Sequence, residues 1–345
     1  MNRKPSSPRN GGPFSTISVS VSVLAGITLA SAAFVLPAFF RLETKVPDPV
    51  PIEKPNPFRI GIVTDIHGQT GKQYSSKFMD PDKIMRPLYR FEGYMQDVFR
   101  PDLIVEDGDF VEGSNRAGDK SVTDFTFLRD ELDRTGFPVL HVIGNHDRRG
   151  FDDSEWKTLT GNDSTYYFRD ESDIRIVVLD YDDSKVGDEL PDEDASKTTG
   201  SSGKYSISEN QFAWIDRTLA DAGGRRVVVF THVPVNENAI MPGAYVNPSE
   251  DRRRLRDLFA EYGVKAVISG HVELFRYEED RGVRYFVLPG FHRSEAKSKP
   301  EKWFGTYSAL TITDRADMLV RYEKEFGGAY EEVWVPSEAF DTLPK

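Results

Sequence analysis

From Arg59 onward, a short β-branched or aliphatic run ends five times in a turn that carries Gly, Asp, Asn or His. Ile60-Gly61-Ile62-Val63 leads into Asp65-Ile66-His67-Gly68, and Leu103-Ile104-Val105 into Gly108-Asp109. Val139 to Ile143 leads into Gly144-Asn145-His146-Asp147, Val227 to Phe230 into Thr231-His232, and Ala266 to Ile268 into Gly270-His271-Val272-Glu273. Unbroken apolar runs fit strands covered on both faces, because a half-exposed strand alternates polar with apolar residues. Helix-like stretches at 83–98, 123–134, 208–222 and 248–262 separate several of them. This alternation predicts an α/β protein with a largely parallel central sheet. In such sheets functional residues gather beyond the carboxyl ends of the strands, so all five turns are expected to meet at one place.

The residue types in these turns narrow the chemistry. The chain has no cysteine, which excludes disulfides, thiolate metal sites and cysteine nucleophiles. Asp, His and Asn form a hard-to-intermediate donor set suited to Mn, Fe, Zn or Mg. Asp65 and His67 stand two apart, as do His271 and Glu273. In extended backbone that spacing puts both side chains of a pair on one face. A carboxylate such as Asp109 has two oxygens and can bridge two cations. A pair of bound ions clamps a phosphate and lowers the pKa of a bound water. Four of the six histidines (His67, His146, His232 and His271) end one of these strands. His141 lies inside an apolar run and reads as a core residue. His292 follows another strand-like stretch, where a supporting role is one reading.

At this point the sequence resembles the calcineurin-like metallophosphoesterases, whose ordered signature is D-x-H, G-D, G-N-H-[DE], H and G-H-x-H. Here it stands as Asp65-Ile66-His67, Gly108-Asp109, Gly144-Asn145-His146-Asp147, His232 and Gly270-His271-Val272-Glu273, within a resemblance covering about residues 58–325. Ser208-Glu209-Asn210-Gln211, leading into Trp214 and Leu219, is also similar to the family's helix before the fourth motif. The resemblance implies two divalent metal ions. Asp65, His67, Asp109 and the last position of the fifth motif would hold one. Asp109, Asn145, His232 and His271 would hold the other, with Asp109 shared. His146 would serve the leaving-group oxygen, with Asp147 orienting it, while a hydroxide between the metals attacks phosphorus in line. The implied fold is a four-layer α-β-β-α sandwich of two mixed sheets, with the C-terminal strands supplying much of the second sheet.

Two departures stand out. The fifth motif ends in Glu273 where the family usually has His. A carboxylate is a competent ligand for Mg, Mn or Fe; in the other reading Glu273 turns away and water fills its place. Purple acid phosphatases carry a Tyr three residues after the second-motif Asp, where this chain has Glu112, so a tyrosinate-iron site is not expected.

The first 57 residues have a different character. Residues 1–13 are polar and basic, and residues 14–40 carry no charge. A bilayer-spanning helix needs roughly 20 apolar residues, so 14–40 reads as a single transmembrane anchor. Its basic flank predicts a cytoplasmic N-terminus and an extracytoplasmic catalytic domain, 58–345, on the cell membrane. A cleaved signal peptide ending at Ala30-Ser31-Ala32, giving a secreted protein, is the other reading. Five prolines within residues 41–57 favour an extended spacer.

The net charge of −12 argues against a nucleic-acid partner. Arg252, Arg253, Arg254 and Arg256 read as a solvated helix face. The expected substrate is a phosphomonoester or phosphodiester such as a nucleotide, a cyclic nucleotide or a lipid head group. The alternative is a catalytically weakened, membrane-tethered metal- or phosphate-binding scaffold. The 69–82 segment, with Lys72, Tyr74, Lys77 and Phe78, is a candidate for substrate contact, and 181–203 reads as a solvated loop.

Overall fold

The computed structural model describes residues 56–69, 81–113, 119–181, 205–237, 244–246, 249–291, 294–295, 302–325 and 327–335. The expected transmembrane span lies outside them, as do nearly all of the spacer, His292 and almost all of 69–82 and 181–203. Among the described residues no helix is long and apolar enough to cross a membrane.

Three of the apolar runs, β1 (Phe58–Val63), β2 (Leu103–Glu106) and β3 (Val139–His141), pair in parallel. Strand β1 continues antiparallel into β11 (Lys302–Ile312), β12 (Ala316–Glu323) and β13 (Tyr330–Val335), in the order β13-β12-β11-β1-β2-β3. The short β10 (Ser294–Glu295) adds to β11. A second sheet runs β4 (Tyr167–Glu171), β5 (Ile174–Val178), β6 (Arg226–Phe230), β7 (Ala266–Ser269), β9 (Val283–Val287) and β8 (Arg276–Asp280). It is parallel from β5 through β9 and antiparallel at both edges.

The two sheets face each other across a core of Ile60, Ile62, Val105 and Leu140 on one side and Ile176, Val178, Phe230 and Ile268 on the other. The outer faces are also covered. Helices α1 (Pro81–Tyr94), α2 (Asp119–Asp133) and α4 (Asp153–Thr160) place Phe91, Phe125 and Trp156 against Val63, Ile104 and Ile143. Helices α5 (Glu209–Ala220) and α6 (Ser249–Glu261) place Phe212, Ile215 and Phe259 against Val177, Val229 and Val267. Both faces of each central strand are therefore buried, which is why these runs contain no polar alternation. The four layers are those expected of the fold.

Both sheets are mixed, as the family resemblance implied, although strand–helix alternation alone predicted a largely parallel one. One expectation is corrected: of the strand-like stretches 283–288, 307–312 and 318–322, only the first, β9, joins the second sheet, while β11 and β12 extend the first, with Ile60 opposite Leu310. Pairing to β1 buries Leu310, Ile312, Met318 and Val320 against the opposite sheet, an outcome that apolar patterning cannot distinguish from the alternative. Strands β4 and β5, α4 and a short turn of helix, α3 (Asp147–Gly150), were not anticipated.

The basic run on α6 is also not a uniformly solvated face. Arg254 is exposed and pairs with Glu209 at 2.6 Å. Arg256 is buried, reaches across to Glu278 and to Asp280 (2.9 Å), and lies 4.3 Å over the Tyr285 ring. It fastens α6 to the β8–β9 hairpin. Replacing it with Met keeps the stem but strips those carboxylates of their partner. Because both are partly solvated, the expected loss is about 2 kcal/mol, below that for a fully buried pair; urea unfolding of the Arg256→Met variant measures it.

Candidate metal centre

The five ligand-bearing turns leave the carboxyl ends of β1, β2, β3, β6 and β7, so both sheets contribute. Their backbone is not extended, contrary to the expectation for the D-x-H and H-x-E pairs. Asp65, His67, Asp109, His271 and Glu273 all have φ between 50° and 66°. Each such non-glycine residue costs roughly 1–2 kcal/mol. Cross-links between turns hold them there. Asp65 N–H donates to Gly108 O (2.9 Å), His67 N–H to Asp109 O (2.9 Å) and Gly68 N–H to Phe110 O (2.8 Å). The alternating left-handed turns bring Asp65 and His67 to one side by a route that strand geometry does not offer.

Asp109 lies at the centre. Its Oδ1 accepts the His146 backbone N–H at 2.7 Å. Its Oδ2 lies 3.2 Å from His232 Nε2, 3.8 Å from His67 Nε2 and 4.0 Å from His146 Nε2. Three groups of potential ligands result, each with ligand atoms mutually within 4.8 Å: Asp65, His67 and Glu273; Asp109, His232 and His271; and His67, Asp109 and His146. Glu273 thus turns into the site, with Oε1 3.6 Å from His67 Nε2. Two glycines make this density possible. A Cβ on Gly144 would sit 2.0 Å from Asp109 N, and one on Gly108 would sit 2.4 Å from His232 Nδ1.

The His232 imidazole is oriented by a group that can only accept. His232 Nδ1 donates to the Asp107 carbonyl at 2.7 Å, which turns Nε2 toward Asp109 Oδ2. His146 Nδ1 lies between the Glu112 carbonyl, at 2.9 Å, and the Arg149 guanidinium. The Glu112 carboxylate lies 3.1 Å from His67 Nδ1 and 3.5 Å from His146 Nδ1. These two neighbours hold that carboxyl well below the usual carboxylate range against the opposing effect of its burial. Asp147, by contrast, does not orient His146. It begins α3 with its oxygens accepting from Gly144 N (2.8 Å) and Val111 N (3.0 Å), and so closes the third turn.

Glu112 and Arg149 are site residues that motif reading passed over. Arg149 NH1 lies 3.1 Å from His146 Nδ1, and the residue is exposed. Among the described residues it has no carboxylate within ion-pair distance. A signal existed for each: Glu112 is the third residue after Asp109 and Arg149 the third after His146. His141 is the core histidine expected. It is buried 3.2 Å from Glu106, and burial lowers its pKa to about 4.

The donor set fits cations. Burial pushes Asp65 up to about 7, and holds Glu106 and Asp107 well above their usual range. That many buried carboxyls in one place call for positive charge. The buried Oδ1 of Asn145 has no hydrogen-bond partner, as a ligand oxygen aimed at a cation would lack one. Fold and site together define a metal-dependent phosphoester hydrolase. A family model, calcineurin-like phosphoesterase, matches residues 58–272, and the chain belongs to that family.

Similar proteins agree. A manganese-dependent ADP-ribose/CDP-alcohol diphosphatase of Arabidopsis thaliana is 28% identical over 240 residues, covering 60% of this chain and 73% of that protein. One of the same description from Danio rerio is 27% identical, over 54% and 72%. The crystal structure of a dimetal phosphatase from Danio rerio superposes with a TM-score of 0.61 at 19% identity, covering 81% of this chain and 98% of that one. The cofactor is a divalent metal.

Removing metal is expected to destabilise the protein, because ions bound only by the folded state shift unfolding by about 3 kcal/mol when in hundredfold excess over Kd. Thermal unfolding in a chelator should therefore fall roughly 5 °C or more below that in Mn²⁺. An unchanged Tm would show that the buried carboxyls hold no ion.

Proposed function

We propose that this hydrolase cleaves a small phosphodiester or diphosphate-linked compound, of the nucleoside-diphosphate type, at a paired-metal site. The observation that carries the reading is the position of Asp109, whose Oδ2 faces His67, His146 and His232 at once. Asp65, His67, Asp109 and Glu273 would hold one ion, and Asp109, Asn145, His232 and His271 the other. When bound, such ions supply charge neutralisation for the phosphate and a lowered pKa for water.

The side chains around them divide the remaining work. His146 presents Nε2 toward Asp109 and, with a proton on that nitrogen, can deliver it to the departing oxygen. Glu112 sets the azimuth of both His67 and His146. Arg149, exposed beside His146, is suited to a second anionic group on the leaving side of the substrate. A diphosphate carries such a group and a simple monoester does not. The names of the plant and fish relatives, which describe ADP-ribose/CDP-alcohol diphosphatases, support the same substrate class. The scaffold alternative needs Glu273 to have dismantled one ligand set; its carboxylate within ligand distance of Asp65 and His67 favours the enzyme.

The test is kcat/KM in Mn²⁺ for ADP-ribose and a CDP-alcohol against a chromogenic monoester and diester. A preference of tenfold or more for a diphosphate is expected; a preference for the monoester would overturn the substrate assignment. His146→Ala should lower kcat about 10²- to 10⁴-fold with bound metal retained, as counted by elemental analysis. Arg149→Ala should raise KM about tenfold for the diphosphate, the effect of one lost charge-assisted contact, and leave the monoester KM unchanged.

A further inference from the structure

We infer that Glu273 makes the two metal positions chemically unequal, so that the first selects a hard, oxygen-preferring cation such as Mn²⁺ or Mg²⁺. The second is left to accept a borderline ion such as Zn²⁺ or Fe²⁺. This rests on the paired-ligand reading above and extends it from where ions are held to which ions are held.

The donor sets differ. On the ligand assignment proposed above, the first position takes three carboxylates, from Asp65, Asp109 and Glu273, with a single imidazole, His67; the ligand atoms of Asp65, His67 and Glu273 lie mutually within 4.8 Å, and Asp109 Oδ2 is 3.8 Å from His67 Nε2. The second takes two imidazoles, His232 and His271, grouped with the shared Asp109, and the unpartnered amide oxygen of Asn145. Carboxylate oxygens suit Mg²⁺ and Mn²⁺, whereas imidazole suits Zn²⁺ and Fe²⁺. Glutamate in place of an imidazole also adds a negative charge, drawing any dication more strongly while removing the donor that Zn²⁺ and Fe²⁺ exploit.

The surroundings are built for an inward-facing glutamate. Glu273 sits in left-handed backbone (φ 53°), directly after the Gly270–Val272 turn closed by Val272 N–H donating to Gly270 O at 2.7 Å. The His271 N–H at this turn bonds Asp65 Oδ2 at 3.1 Å, which ties the fifth turn to the first. Thr64 Oγ1 donates to the same oxygen at 2.7 Å, so Asp65 presents Oδ1 to the cluster. Behind Glu273 lies Gly290, where a Cβ would come within 3.1 Å of Glu273 Cγ and 3.2 Å of Asp65 Cβ. The space a side chain would take at 290 is used by the methylenes of Glu273. The carboxylate therefore reaches His67 without displacing Asp65.

The experiment is metal titration of the full chain after chelator treatment, by calorimetry with Mn²⁺ and with Zn²⁺, alongside the Mn²⁺ electron paramagnetic resonance spectrum. Wild type should bind two ions per chain, with one position preferring Mn²⁺. Glu273→His should raise Zn²⁺ affinity at that position about tenfold or more and lower Mn²⁺ affinity by a similar factor, leaving the second unchanged. Isotherms and spectra identical to wild type in Glu273→His would overturn the inference. Should that variant fail to fold, Glu273→Gln, which keeps the shape and one oxygen but loses the charge, gives the same readout. It should lose Mn²⁺ affinity at one position by about tenfold, and no loss would likewise overturn the inference. Binding of fewer than two ions by wild type would instead indict the paired-metal reading itself.

Discussion

The Asp109 carboxylate is the constraint on which the site depends. One oxygen is spent on the His146 backbone N–H and the other faces three imidazoles, so the first four turns are registered through a single side chain. Its own backbone is left-handed, as are those of four other proposed ligands. Five such residues together would cost several kcal/mol if isolated. They persist because strands on both sides are rigidly paired, with Val105 opposite Ile62 and Leu140, and because the turns bond one another. The strain resides in the turns and the support in the sheets.

The same construction concentrates charge. Glu106, Asp107 and Asp109 are consecutive or nearly so at the end of β2, all buried, with Asp65 close by. Their carboxyls shift in opposite directions. Glu106 and Asp107 are pushed up by burial, Glu106 even with the His141 ring beside it, while Asp109, facing His232, His146 and His67, is held well below its usual range against that same burial. An interior of this kind is poorly balanced without cations, so metal binding and folding stability are linked through the residues that serve catalysis.

Much of this was legible beforehand. Buried strands leave unbroken apolar runs, and α/β topology sends the following turns to one edge, so Asp65, His67, Asp109, His146, His232 and His271 were identifiable from order and position. The role expected of Asp147 was not met, because its first-turn place on α3 offers nearer backbone donors than the His146 ring. In the motif pattern Glu112 marks only the absence of a tyrosine. Its contact with two imidazoles depends on how the second turn bends back past Gly68, through the Glu112 N–H bond to Gly68 O at 3.3 Å. Helical spacing alone places Arg256 toward solvent, since it does not reveal that a hairpin distant in sequence covers it.

The amino-acid sequence by itself determined the buried strands and their covering helices, the ligand types and the order in which they enter the site, because hydrophobic periodicity and donor chemistry are local properties of the chain; the four layers came from the family resemblance its motifs carry. Tertiary structure alone decided the partition of the C-terminal strands between sheets, the left-handed turns that replace extended D-x-H geometry, and the inward turn of Glu273. Each depends on contacts between segments far apart in sequence: Leu310 against Ile60, Asp65 against Gly108, and Glu273 in the space left by Gly290. No single segment encodes such a contact, since its energy exists only once both partners are in place.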